Sequence, residues 1–149
     1  MFKKQINDGF VYQKYKPLPQ GSSLEKTAST TASSFANAAN GIRYCIQSQK
    51  NCRVHLLATV LVVLLGLLCN ISAVQWLFVI GCCGAVLSLE LLNTAIEQLC
   101  NIYSMAWHPT IKIIKDVAAG AVLLSVVASV ITGSIIFMPK FFQLIKTFL

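Results

Sequence analysis

Four residues on one short stretch carry the clearest chemistry in this sequence: Glu90, Asn93, Glu97 and Asn101. On an α-helix turning about 100° per residue, all four fall within an arc of about 80°. Lys115 and Asp116 follow shortly after in the chain. Two carboxylates, two amides and a Lys-Asp pair make an oxygen-rich set that suits a hydrated divalent cation and phosphate oxygens. An alternative is that the stripe only glues helices together, as a single Asn in a membrane helix does. Two Glu on the same face fit that reading poorly, because a charge placed at a membrane helix centre costs about 2.5–3.5 kcal/mol.

The background that makes the stripe conspicuous is apolar. Of the 149 residues, 56% are hydrophobic and 11% charged, with a mean hydropathy of +0.68. Soluble domains carry about 25% charged residues, so this chain has too few to cover a water-facing surface. No Asp, Glu, Lys or Arg occurs between Arg53 and Glu90, or between Asp116 and Lys140. With roughly 20 apolar residues needed per crossing, these gaps predict an all-α membrane protein with three transmembrane helices.

The spans expected are TM1 over about 54–69, TM2 over about 74–100 and TM3 over about 111–138. Cys69-Asn70-Ile71-Ser72 reads as a tight turn between the first two, and His108-Pro109 as the turn before the third. Ahead of them, Phe35, Ala38, Ala39, Ile42 and Ile46 recur at helical spacing, so an amphipathic surface helix is expected over about 34–52. Residues 1–32 are polar, with PLPQGSS and TASTTAS runs, and read as a flexible tail; residues 33–149 form the membrane domain. No secretory signal is apparent at MFKKQINDGF.

The net charge of +7 comes from basic residues flanking the apolar segments, as anchors against anionic lipid do. A nucleic-acid binder would gather them on one folded face, so no nucleic-acid partner is expected. The positive-inside rule puts the N-terminus, Arg43 to Arg53, and Lys112 and Lys115 in the cytoplasm of a multi-pass protein of the inner (plasma) membrane. Lys140 and Lys146 run against the rule, and late charges weigh less than early ones. The six cysteines show no CxxC metal spacing and read as small hydrophobes.

Glu90-Leu-Leu-Asn93-Thr-Ala-Ile-Glu97 resembles the central motif of the bacterial diacylglycerol kinase and undecaprenol kinase family, small integral-membrane lipid kinases. Lys115-Asp116-Val-Ala-Ala-Gly120-Ala-Val, eighteen residues after Glu97, resembles its second motif. Asn51-Cys-Arg53-Val-His55-Leu, His108-Pro109 and Phe137-Met-Pro139-Lys140 look like further landmarks, so the likeness covers about residues 34–140. It implies a homotrimeric bundle, with the active site at the cytoplasmic membrane interface. ATP would be the phosphoryl donor, Mg2+ the cofactor, and a membrane lipid, undecaprenol or diacylglycerol, the acceptor. Glu90 would be the catalytic base. Glu97 would bind magnesium and, with Asn93, Lys115 and Asp116, the nucleotide.

The sequence departs from the family at two places. Gln49 stands where the family has a second metal-binding Glu, eight residues after Gly41, and Asn101 where it tends to have Asp. An amide oxygen ligates magnesium more weakly than a carboxylate, so Gln49 is expected to join Glu97 at the metal and nucleotide as a weaker ligand. The landmark sequences favour the undecaprenol branch. Two readings compete: a catalytically weakened or inactive paralogue acting as a structural membrane protein, and a proton-coupled transporter. Three helices without an inverted repeat speak against the transporter.

Overall fold

The computed structural model describes residues 31–103 and 107–148, and all the regular elements in it are helices. They are α1 (Thr31–Ser48), α2 (Lys50–Leu68), α3 (Ala73–Tyr103) and α4 (Pro109–Phe148). The last three are each long and apolar enough to cross a membrane. The expected polar tail lies outside the described residues, apart from Thr31 and Ala32, which begin α1.

The surface helix expected to reach about residue 52 stops at Ser48, and α2 starts at Lys50. The break is Gln49, whose φ of −111° and ψ of 124° are extended. Ser48 weakens the helix locally, its hydroxyl bonding back to the Tyr44 carbonyl at 2.8 Å. The third membrane helix, expected over about 111–138, runs on to Phe148 through Pro139. A proline removes one backbone hydrogen bond, and the helix on either side of it is here unbroken. At its other end His108 caps α4: its Nδ1 accepts from the Thr110 N–H at 3.2 Å, and Pro109 takes the first helical position.

The α2–α3 turn explains why this hairpin closes so tightly. Asn70 sits at a φ of 46°, left-handed, which Asn tolerates better than other side-chain-bearing residues. The Asn70 N–H donates to Leu67 O at 3.2 Å and the Ile71 N–H to Gly66 O at 3.3 Å, a Schellman ending. Two residues on, Ser72 and Gln75 bond reciprocally, Ser72 N–H to Gln75 Oε1 at 2.9 Å and Gln75 N–H to Ser72 Oγ at 3.4 Å. That capping box starts α3. Gly66 lets the Trp76 ring lie against α2, since a Cβ there would sit 2.8 Å from Trp76 Cη2.

One cluster of buried apolar residues lies at this same end. Ile71, Val79 and Ile136 are its centre, with Val62, Trp76, Cys83 and Phe137 packed around them. α3 is the central element: among the described residues α2 and α4 each pack on it rather than on each other. Elsewhere α2 and α4 expose large apolar side chains, such as Leu57, Leu61, Leu124 and Ile131. Such a surface suits hydrocarbon and not water.

Candidate functional site

The opposite end of the bundle holds the polar residues. Here the start of α2, the second half of α3 and the start of α4 come together around a cleft of about 210 Å³. Glu90 and Asn93 line it from α3, Asn51 and His55 from α2, and Ala119, Val122, Leu123 and Val126 from α4. Its polar groups therefore sit on two helices and its apolar wall on the third. The pairs Asn51/His55 and Ala119/Leu123 repeat at four residues and Glu90/Asn93 at three, so each helix presents a single face.

Glu90 and Asn93 are buried, 2% and 5% exposed. Asn93 Oδ1 has no hydrogen-bond partner. A buried unpaired carbonyl oxygen costs about 1–3 kcal/mol, so a ligand donor aimed at it would recover that energy. Thr94 is buried next to it, donating to the Glu90 carbonyl oxygen at 2.9 Å and lying 3.3 Å from Cys45 Sγ. Through that contact α1 is seated on α3 close to the cleft.

The rest of the stripe is partnered. Glu97 Oε2 accepts from Gln49 Nε2 at 3.1 Å, so the extended residue between α1 and α2 reaches directly onto α3. Asn101 Oδ1 accepts from Lys115 Nζ at 2.7 Å, tying the end of α3 to the start of α4. Asp116 turns elsewhere: it pairs with Lys112 at 2.7 Å on an exposed flank. The structure thus brings Glu90 and Asn93 into one cleft, Gln49 onto Glu97, and Lys115 onto Asn101.

Asn51 and His55 are additions to the expected set. In the sequence they stand within the Asn51-Cys-Arg53-Val-His55-Leu landmark, to which no role attaches. Their i,i+4 spacing at the start of an apolar helix was the signal that could have placed them on one polar face.

The donor set at Glu97 fits magnesium that arrives with a nucleotide. Magnesium takes hard oxygens, keeps several waters, and commonly relies on one or two carboxylates plus substrate phosphates. Glu97 supplies one carboxylate and Gln49 one amide oxygen. Among the described residues no group of three or more His, Cys, Asp or Glu could cage an ion without such help.

Comparison with known proteins gives concordant matches. The family model for prokaryotic diacylglycerol kinase matches residues 36–137. An undecaprenol kinase of Bacillus subtilis (strain 168) is 39% identical over 107 residues, covering 72% of this chain and 87% of that protein. A diacylglycerol kinase of Synechocystis sp. (strain ATCC 27184 / PCC 6803 / Kazusa) is 36% identical over 112 residues, covering 74% of this chain and 64% of that protein.

Proposed function

This chain belongs to the prokaryotic diacylglycerol kinase family, and from that premise we propose that it phosphorylates the hydroxyl of a membrane lipid with ATP. Undecaprenol is the favoured acceptor over diacylglycerol, on the landmark sequences and the 39% identity to an undecaprenol kinase. The observation that carries the reading is Glu90, a carboxylate 2% exposed beside the unpaired Asn93 Oδ1 in a cleft walled on one side by hydrocarbon. A membrane-embedded carboxylate left without a cationic partner is costly, and such groups mark sites of chemistry or transport.

The lipid would enter along the apolar α4 wall of Val122, Leu123 and Val126, bringing its hydroxyl to Glu90. Glu90 takes the hydroxyl proton as the oxygen attacks the γ-phosphorus. Asn93, one turn nearer the α3 end, accepts a hydrogen bond and holds the reacting groups in register. Seven residues separate Glu90 from Glu97, about 10 Å along the helix, which leaves room for a phosphoryl group between them. Glu97 and the Gln49 amide oxygen would hold magnesium. The chemistry such an ion would supply there is neutralisation of phosphate charge. Lys115, already oriented by Asn101, offers its ammonium to the nucleotide. Asp116 would meet the nucleotide from the exposed side of α4.

The exposed apolar flanks of α2 and α4 support a homotrimer embedded in lipid, with the N-terminal side and the cleft facing the cytoplasm. A second reading draws on Gln49: its hydrogen bond to Glu97 satisfies that carboxylate without any cation, as a structural, inactive paralogue would need.

The test is transfer of labelled phosphate from ATP to undecaprenol and to diacylglycerol by purified protein, with and without magnesium. Magnesium-dependent product on either lipid is expected, with Glu90→Gln slower by about 10²–10⁴-fold, the usual worth of a positioned base. Product on neither lipid would favour the structural reading.

A further inference from the structure

We infer that His55 is the proton relay of this site, taking from Glu90 the proton that Glu90 has removed from the acceptor hydroxyl and passing it to cytoplasmic water. The inference rests on Glu90 acting as the base and goes beyond it, because a base must be emptied before the next turnover. Glu90 is 2% exposed, and with a lipid in the cleft its route to solvent is closed. His55 lines the same cleft, is itself half-buried, and stands six positions into α2, at the end of the bundle where Gln49 and Lys50 lie. It therefore shares the cleft with the base while remaining partly open to solvent.

The surrounding groups leave His55 as the exit. Among the described residues that line the cleft, it is the only side chain besides Glu90 of an ionisable type: Asn51 and Asn93 are amides, and α4 contributes Ala119, Val122, Leu123 and Val126. Glu97, farther along α3, also acts electrostatically on Glu90 but is engaged by Gln49. Cys52, on α2, is a buried thiol within electrostatic reach of the carboxylate, and Cys45, on α1, is buried beside Cys52; neither reaches solvent. Imidazole both accepts and releases a proton near neutral pH, which thiols and carboxylates in ordinary surroundings do less readily.

The balance is simple. The lipid O–H bond breaks, its proton goes to the Glu90 carboxylate, the new O–P bond forms, and the bond from the γ-phosphorus to ADP breaks. The Glu90 proton then moves to an imidazole nitrogen of His55 and on to water. Net, one lipid alcohol and ATP give lipid phosphate, ADP and one proton.

The experiment is rapid-quench kinetics on the purified full chain in lipid–detergent micelles, with magnesium-ATP and excess lipid alcohol. The relay predicts that His55→Ala keeps its first turnover but loses at least about tenfold in steady-state turnover, within the range of positioned proton transfer. Added imidazole should restore most of that loss, and His55→Gln should show the same split between first and later turnovers. A structural role would slow the first turnover equally and leave imidazole without effect; that result, or an unchanged steady state in both variants, overturns the relay. Glu90→Gln run alongside separates the two ideas. If its first turnover survives, the assignment of Glu90 as base is wrong; if that turnover is lost, the His55 results stand on their own.

Discussion

Replacing Gln49 by glutamate supplies the carboxylate that the family resemblance leads one to expect at this position, and the structure fixes what it would meet. Gln49 Nε2 lies 3.1 Å from Glu97 Oε2, so Gln49→Glu exchanges a donor–acceptor pair for two facing carboxylates. Both residues are half-buried, so the effective dielectric falls below that of water toward the value of about 20 typical near a protein surface. At that separation the repulsion amounts to about 1–5 kcal/mol for ε between 80 and 20. Without a cation the variant should unfold at a lower temperature in detergent than the unmodified chain. With magnesium and ATP the sign should reverse, because two carboxylates would then be available to hold the ion instead of one carboxylate and an amide. Each 1.4 kcal/mol is a factor of ten, so half-saturating magnesium should fall by at least about tenfold. Two measurements decide it: thermal unfolding with chelator and with magnesium, and magnesium titration of lipid phosphorylation. An unchanged magnesium dependence, together with unchanged stability in chelator, would refute the pairing of Gln49 and Glu97 as the cation position.

Two further outcomes follow from the same geometry. Asn93→Leu keeps the shape of the side chain and removes the unpaired Oδ1; it should gain about 1–3 kcal/mol in stability by thermal unfolding while abolishing phosphorylation. Gly66→Val should lose about 1–3 kcal/mol to overpacking, since its Cβ meets the Trp76 ring at 2.8 Å and Ile71 Cδ1 at 3.2 Å. Combining it with Trp76→Leu should recover part of that loss in a double-variant cycle, and a strictly additive result would show that the ring is not what the new side chain strikes.

The parts of this molecule that could be read from the sequence are those where a polar residue stands against an apolar background. Glu90, Asn93 and Glu97 declared themselves that way, and so did the charge-free stretches that became α2, α3 and α4. Asn51 and His55 did not, because they follow Lys50 and flank Arg53 in a polar run where one more polar side chain gives no contrast. Asp116 shows another limit. Its pairing with Lys112 was not apparent beside Lys115: successive helical residues point about 100° apart, and Lys112 lies one turn back on its own face. The break at Gln49 was also hidden, since glutamine is a fair helix former; the extended backbone that aims its side chain at Glu97 depends on the contact across to α3. Pro139 misled in the opposite direction, because a proline signals a stop more often than it enforces one.

The Schellman turn, the capping box and the Trp76 ring on Gly66 all fasten the same end of the helical hairpin. The residues of the polar cleft stand several turns away, where side-chain hydrogen bonds also tie the helices together. The tight turn and the polar cleft thus lie in opposite halves of α3. Substitutions at Leu123 and Val126 of the α4 wall, which are not fully buried, can reshape the cleft without touching the turn that joins α2 to α3.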